Sequence, residues 1–266
     1  MSESARHDVW REGKAYEGYM GRWSRQVAPL FLDWLKPREG LDWLEIGCGS
    51  GALTREILAR NPASVLAIDR SPDFISQATR NLDDPRATFR IGDAEHLDVA
   101  SESRDLVVSG LVLNFVPDRV AALAEAKRIL RPGGRVGFYV WDYPNRGLEF
   151  LARFWDAAIA LDPHAEDLRE SRRFTFCTPH DLVSLTEQAG LVDVACEGIE
   201  TQTVFRDFDD YWRPFTRGAG PAPGYCANLP EDARKRLRAS LEEALPRRAD
   251  GTLVFRAKAW AVTGTA

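Results

Sequence analysis

The residues most able to do chemistry lie in Glu45-Ile46-Gly47-Cys48-Gly49-Ser50-Gly51, Asp69 and Gly92-Asp93-Ala94-Glu95. The first run sets glycines at every second position, directly after a carboxylate. Glycine permits a sharp turn and lets a bound group approach the backbone closely. Asp69 stands roughly 20 residues further on, the spacing at which an acid can take both hydroxyls of a ribose. Two ligand classes use such a turn. A pyrophosphate goes with G-x-G-x-x-G and the start of a helix. Here the spacing is G-x-G-x-G, no Lys or Arg flanks it, and Glu45 precedes it, which suits an ammonium group better.

Other reactive side chains are scattered. Cys48, Cys177, Cys196 and Cys226 form no C-x-x-C pair, so they read as reduced, mostly buried thiols rather than a zinc or redox site. His7, His96, His164 and His180 lack metal-ligand spacing, and no metal is expected. No residue identifies itself as a general base. Asp142, Tyr143, His164 and His180 are the candidates. Tyr16 to Ser24 joins glycines to large anchors around Arg22. It reads either as a lid over the cofactor, with Arg22 on a carboxylate, or as a packed helix with an exposed Arg. Arg234-Lys235-Arg236 is offset by Glu231, Asp232, Glu242 and Glu243, and reads as a solvated helix face.

Positioning these residues requires alternating elements. Helical spacing runs through Tyr16–Trp34 until Pro37 and Gly40. Strands are predicted at Leu41–Ile46, Val65–Asp69, Ala87–Ile91, Asp105–Ser109 and Arg135–Trp141. Helices lie between them, one with Ser71 as N-cap and Pro72 in its first turn. This alternation implies a parallel sheet with right-handed crossovers. Pro132-Gly133-Gly134 should break the helix that ends near Leu130. Beyond Trp141, helices are expected at Leu148–Leu161, Pro179–Ala189, Phe208–Phe215 and Pro230–Leu245. A Gly/Pro loop is expected at Ala219–Pro223. The strands Leu191–Phe205 and Leu253–Val262 should pair antiparallel at or near the sheet edge.

The expected fold is α/β: a Rossmann-like three-layer sandwich with a mostly parallel seven-stranded sheet, an antiparallel edge strand and a helical lid insertion. The chain reads as one domain, 1–266. Residues 1–36 form a helical lid segment, 37–141 the cofactor-binding core, and 142–266 the lid insertion and the completion of the sheet. The 266 residues carry a net charge of −5 and are 44% hydrophobic. That balance argues against a nucleic-acid partner. No apolar run reaches membrane length, and the polar Met1–Gly21 stretch has no signal-peptide core, so a cytoplasmic setting without membrane partners is expected. Nothing in the sequence sets an oligomeric state.

These motifs, in this order, resemble the class I S-adenosylmethionine-dependent methyltransferases, in the small-molecule branch similar to quinone-biosynthesis enzymes. The resemblance covers Trp34 to Trp141 and rests on five runs: Leu44–Gly51, Ala67–Ser71, Gly92–Glu95, Asp105–Asn114 and Leu130–Gly134. It implies S-adenosylmethionine as cofactor. Gly47, Gly49 and Gly51, with Cys48, would shape the loop under its methionine part. Glu45 would hold the amino group, directly or through water, and Asp69 the ribose. Asp93 would meet the adenine amino group, Ala94 would supply a backbone amide, and Glu95 completes that motif. Arg70, Phe74, Gly110 and Leu111 would border the adenosine slot. The implied reaction is an in-line displacement that needs alignment more than acid–base help. The acceptor is expected to be small and apolar or aromatic. It would bind at the carboxyl ends of the strands, under the N-terminal segment and the insertion carrying Phe150, Phe154, Trp155, Phe174, Phe176, Tyr211, Trp212 and Phe215. Those rings are equally able to pack only among themselves. A nicotinamide oxidoreductase, a silent cofactor binder and a macromolecule methyltransferase stay open as alternatives.

Overall fold

The computed structural model describes residues 21–216 and 220–266. His7, the part of the expected Tyr16–Ser24 lid up to Met20, and Ala219 lie outside the described residues. The remainder clusters into two compact units. One holds Gly21–Val140, Phe176–Ile199 and Ala259–Ala266; the other holds Trp141–Thr175 and Glu200–Lys258. The sequence shows one continuous alternation and no linker, so nothing in its composition marks this division.

The first unit carries the sheet. Its strands are β1 (Asp42–Ile46), β2 (Ser64–Asp69), β3 (Ala87–Ile91), β4 (Arg104–Gly110) and β5 (Leu130–Trp141), followed by parts of β6 (Val192–Phe205) and β7 (Leu253–Thr265). The order is β3-β2-β1-β4-β5-β7-β6, and β1 to β5 pair parallel. Strand β7 runs against β5: the Thr263 hydroxyl donates to the Val136 carbonyl at 2.8 Å, and the Ala266 N–H to the Gly134 carbonyl at 2.9 Å. The central strands are buried on both faces, as a parallel sheet covered by helices requires.

Helices α1 (Arg22–Leu35), α2 (Ala52–Leu58), α3 (Pro72–Asn81), α4 (Arg119–Ile129) and, later in the chain, α7 (Pro179–Gln188) belong to this unit. In α1, Trp23, Val27, Phe31 and Leu35 recur at helical spacing and are buried. Phe31 packs 4.8 Å from the Tyr139 ring. A Cβ on Gly137 would come within 3.1 Å of Leu35 and Phe31, so that glycine lets the helix settle on β5. Ser71 caps α3 by accepting from the Phe74 N–H, and Thr178 caps α7 by accepting from Asp181. Ser71 is the N-cap expected from the sequence, and Thr178 is a residue type suited to the same role.

The Pro132-Gly133-Gly134 break takes a different form. It lies inside β5, as an irregularity where Arg104 pairs with Leu130 and Leu106 with Arg135. Gly133 adopts φ 76° there, and proline has no N–H to give a ladder.

The second unit holds α5 (Glu149–Leu161), α6 (Glu170–Arg173), α8 (Phe208–Trp212), α9 (Pro221–Asn228) and α10 (Glu231–Ala244). The helix α9 takes up Pro221–Pro223 of the expected Gly/Pro loop. Its prolines fall in the first turn, where backbone N–H groups have no intrahelical partner to lose. The aromatic residues form this unit's own core. Phe154 and Phe215 stack at 4.3 Å, Phe150 and Phe205 lie 5.6 Å apart, and the buried Tyr211 hydroxyl donates to the Phe150 carbonyl at 2.9 Å. The Trp155 indole donates to the buried Glu170 at 2.6 Å. Of the two readings of these rings, internal packing accounts for Phe150, Phe154, Trp155, Tyr211 and Phe215. The charged face of α10 is solvated and paired, as in Lys235–Glu231 and Arg238–Asp209. Among the described residues, no helix is long and apolar enough to cross a membrane.

Candidate functional site

The three connections that follow β1, β2 and β3 are laced together at Asp69. The β1–α2 turn comes first. The N–H groups of Gly47 and Cys48 both donate to the Ile68 carbonyl, at 2.7 and 3.0 Å, and the Gly51 N–H closes the turn on the Cys48 carbonyl at 2.9 Å. Gly47, Gly49 and Gly51 all adopt positive φ, at 75°, 53° and 91°, which explains the alternation of glycines in the sequence. Their surroundings differ. A Cβ on Gly47 would collide with the Val112 side chain, and one on Gly51 would come 2.6 Å from Leu82. A Cβ on Gly49 would meet no described residue within 4 Å. Gly49 is therefore the point where the turn is open to another molecule.

Asp69 ends β2 and is 91% buried (9% exposed). Its Oδ2 accepts from the Gly49 N–H and its Oδ1 from the Ser71 N–H, each at 2.9 Å. Its carbonyl accepts from the Gly92 N–H at 3.1 Å, which ties in the connection after β3. Each carboxylate oxygen keeps a further lone pair. Burial raises the Asp69 pKa, opposed by the two backbone N–H bonds.

Glu45 is buried beneath the same turn. Its Oε2 accepts from the Thr54 hydroxyl at 2.5 Å. Burial pushes its pKa up to about 8; the Thr54 bond opposes the shift and the Asp69 charge adds to it. A cation placed nearby would restore the carboxylate. The Cys48 thiol is buried and its pKa is driven up by burial and by Glu45 and Asp69, so it is an unreactive part of the turn.

The other expected residues are placed less tightly. Asp93 is exposed, and its Oδ1 accepts from the Glu95 N–H at 3.0 Å. Glu95 accepts from the Asp118 N–H at 2.9 Å, which fastens this connection to the start of α4. Ala94 is half-buried beside them, and Arg70 is exposed. Gly110 ends β4, where a Cβ would lie 2.6 Å from the Tyr139 hydroxyl. Leu111 follows, buried, with φ 61°. A positive φ is costly for a leucine and marks a backbone held by its surroundings. Arg22 lies over the neighbouring Trp23 ring at 4.1 Å.

Among the base candidates, Asp142 is buried in its own turn, accepting from Asn145 Nδ2 at 2.9 Å. His164 and His180 are exposed. Among the described residues, no three His, Cys, Asp or Glu side chains gather as metal ligands.

Sequence reasoning missed Thr54 and gave no individual role to Ser109 and Asn114, which lie in the run Asp105–Asn114. Thr54 sits on the face of α2 that otherwise buries Leu53, Ile57 and Leu58; a hydroxyl on an apolar face was the available signal. The Ser109 hydroxyl donates to the Ile46 carbonyl at 2.8 Å, linking β4 to β1. Asn114 is 97% buried (3% exposed), and its Nδ2 has no hydrogen-bond partner.

A family model described as a methyltransferase domain matches residues 44–138. The malonyl-[acyl-carrier protein] O-methyltransferase of Hahella chejuensis is 40% identical over 102 residues, 37% of this chain and 37% of that protein's length. The ubiquinone biosynthesis O-methyltransferase of Dinoroseobacter shibae is 31% identical over 195 residues, 71% of this chain and 75% of that one. The structure of Haemonchus contortus phosphoethanolamine N-methyltransferase 2 with S-adenosylmethionine superposes with a TM-score of 0.58 at 17% identity, covering all of this chain and 60% of that one. The glycine turn, the acid ending β2 and the extent of these matches together show that the chain belongs to the class I S-adenosylmethionine-dependent methyltransferases.

Proposed function

We propose that this protein transfers the methyl group of S-adenosylmethionine to a small-molecule acceptor by in-line displacement. The observation that carries this reading is the lacing of three strand ends at Asp69, with the open Gly49 beside it. Asp69 is the ribose acceptor, already oriented by two backbone N–H groups. Gly47, Gly49 and Gly51 hold the turn that runs beneath the methionine part. Glu45 faces the amino group from below, directly or through one water, and Thr54 fixes its carboxyl. Asp93 and Ala94 mark the adenine end, with Arg70, Phe74, Gly110 and Leu111 as neighbours. The exposed Asp93 is free of any cation partner among the described residues. Glu95 holds the loop through Asp118 rather than touching the ring. Arg22 is the candidate for the methionine carboxylate.

The cofactor supplies a methyl group already activated on a sulfonium. The protein therefore contributes orientation and exclusion of water, for which well-aligned systems gain roughly 7–11 kcal/mol. Calorimetry with S-adenosylmethionine, S-adenosylhomocysteine and nicotinamide dinucleotides tests the cofactor, and a mass-spectrometric methyl-acceptor screen tests the transfer. Binding of the two adenosyl ligands alone is expected. Nicotinamide binding without an adenosylmethionine signal would reverse the assignment.

A further inference from the structure

Arg119 opens α4, directly after the connection that leaves β4. Its guanidinium carbon lies 3.9 Å from the centroid of the Phe176 ring. Its Nε is buried and has no hydrogen-bond partner. Burial lowers its pKa, opposed by the buried Cys177 thiol beside it. Several other partly buried arginines in this unit are answered by carboxylates, Arg60 by Asp33, Arg128 by Glu125, and Arg131 by Asp42 and Asp105, whereas Arg104 and Arg135 bond to backbone carbonyls. Among the described residues, Arg119 has no such partner. Desolvating a cation without a counter-charge is costly, and a guanidinium with one face on an aromatic ring keeps its in-plane N–H fork for a planar anion.

A second unsatisfied donor lies in the same connection. Asn114 Nδ2 is buried and unpartnered five positions before Arg119. Buried polar groups nearly always find partners, and these two donors, one in the connection and one at the start of the helix it leads into, are among the buried side-chain N–H groups of the described residues without one.

The strand order tells which molecule would answer them. Most residues assigned to the cofactor hang on β1, β2 and β3, with Gly110 and Leu111 at the end of β4 and Arg22 in α1. Arg119 follows β4, and Phe176 precedes α7, the helix leading into the edge strand β6. The two therefore belong to the half of the sheet away from Asp69. We infer that the methyl acceptor carries an oxyanion, a carboxylate or a phosphate, which Arg119 receives against the Phe176 ring with Asn114 as a second donor. This rests on the methyltransferase reading above and adds the charge of the substrate to it.

The test follows the Arg119 side-chain Nε–Hε signal by nitrogen–proton correlation NMR, assigned by its absence from Arg119→Lys. Benzoate, phenyl phosphate and the neutral benzamide are titrated into the protein alone and into protein saturated with S-adenosylhomocysteine. Benzoate or phenyl phosphate should move the signal saturably while benzamide does not, and whichever anion binds more tightly identifies the group. Arg119→Gln should weaken binding of that anion by about tenfold or more, the loss expected for a charged hydrogen-bond partner. Its affinity for S-adenosylhomocysteine should be unchanged, which also shows the variant to be folded. No anion-dependent shift, an equal response to benzamide, or unchanged anion affinity in Arg119→Gln would overturn the inference. Failure of S-adenosylhomocysteine to bind the unaltered protein would instead defeat the cofactor assignment, and the anion response of the protein alone remains readable.

Discussion

Asp69 is oriented by the protein's own backbone before any ligand arrives, since Gly49 and Ser71 each direct an N–H at one of its oxygens. Asp69→Ala should therefore weaken S-adenosylhomocysteine binding by the value of its charged hydrogen bonds, about 1.5–3 kcal/mol each, with a circular dichroism spectrum unchanged. Unaltered affinity in the folded variant would remove Asp69 from the site. Glu45 gives a pH-dependent counterpart. With its pKa near 8, it is largely protonated at neutral pH, and an ammonium group beside it would lower that value. Binding then releases a proton below pH 8. Affinity should rise between pH 6 and 8 by up to about tenfold per unit and level off above. Calorimetry in buffers of different ionisation enthalpy measures the proton, and Glu45→Gln should abolish the slope. The glycines, Glu45 and Asp69 were legible in the sequence because one strand–turn–helix unit contains or spaces them. Thr54, Asn114 and the pairing of Arg119 with Phe176 were not, since each depends on which elements the fold brings together.

At the scale of the element, the β1–α2 turn separates two uses of glycine. Gly47→Ala combines a positive φ with a collision against Val112, and should lower stability by about 1–3 kcal/mol, the range for strained backbone. Gly49→Ala carries the backbone strain without the collision. Thermal unfolding should show the smaller loss for Gly49→Ala. Calorimetry should show the larger loss of cofactor affinity for the same variant, because its methyl group points into the space the ligand needs. Equal unfolding temperatures would contradict this contrast. The strands were legible as short apolar runs ending in turn residues, and the caps at Ser71 and Thr178 by residue type. The helix α9 was misread because Gly220, Pro221 and Pro223 mark loops in isolation, whereas prolines in a first turn are compatible with a helix.

For the whole molecule, the same raised carboxyls predict how stability follows pH. A folded-state pKa of about 8 against an ordinary 4.5 for Glu45 means that the folded form holds a proton the unfolded chain gives up. The stability from this group is complete below about pH 4.5 and is lost as pH rises through 8. Asp69 acts in the same direction. Denaturant midpoints of the ligand-free protein should fall between pH 5 and 8, and Glu45→Gln should flatten that fall. Saturating S-adenosylhomocysteine should offset it, by about 2.7 kcal/mol at a hundredfold excess over Kd. No break in composition marks the two compact units in the sequence.

The place of β7 bears on how the protein comes to fold. This strand is the latest of the seven in the sequence, yet it lies between β5 and β6. Until it has been made, β5 presents an open edge and β6 has no neighbour to pair with. An open edge is a template for unwanted pairing with other chains. Chains ending before Leu253 should therefore recruit holdase chaperones strongly, and release should follow once Leu253–Thr265 is free to pair. The partner strands are distant in sequence, so this closing step should also be slow, as non-local pairings are.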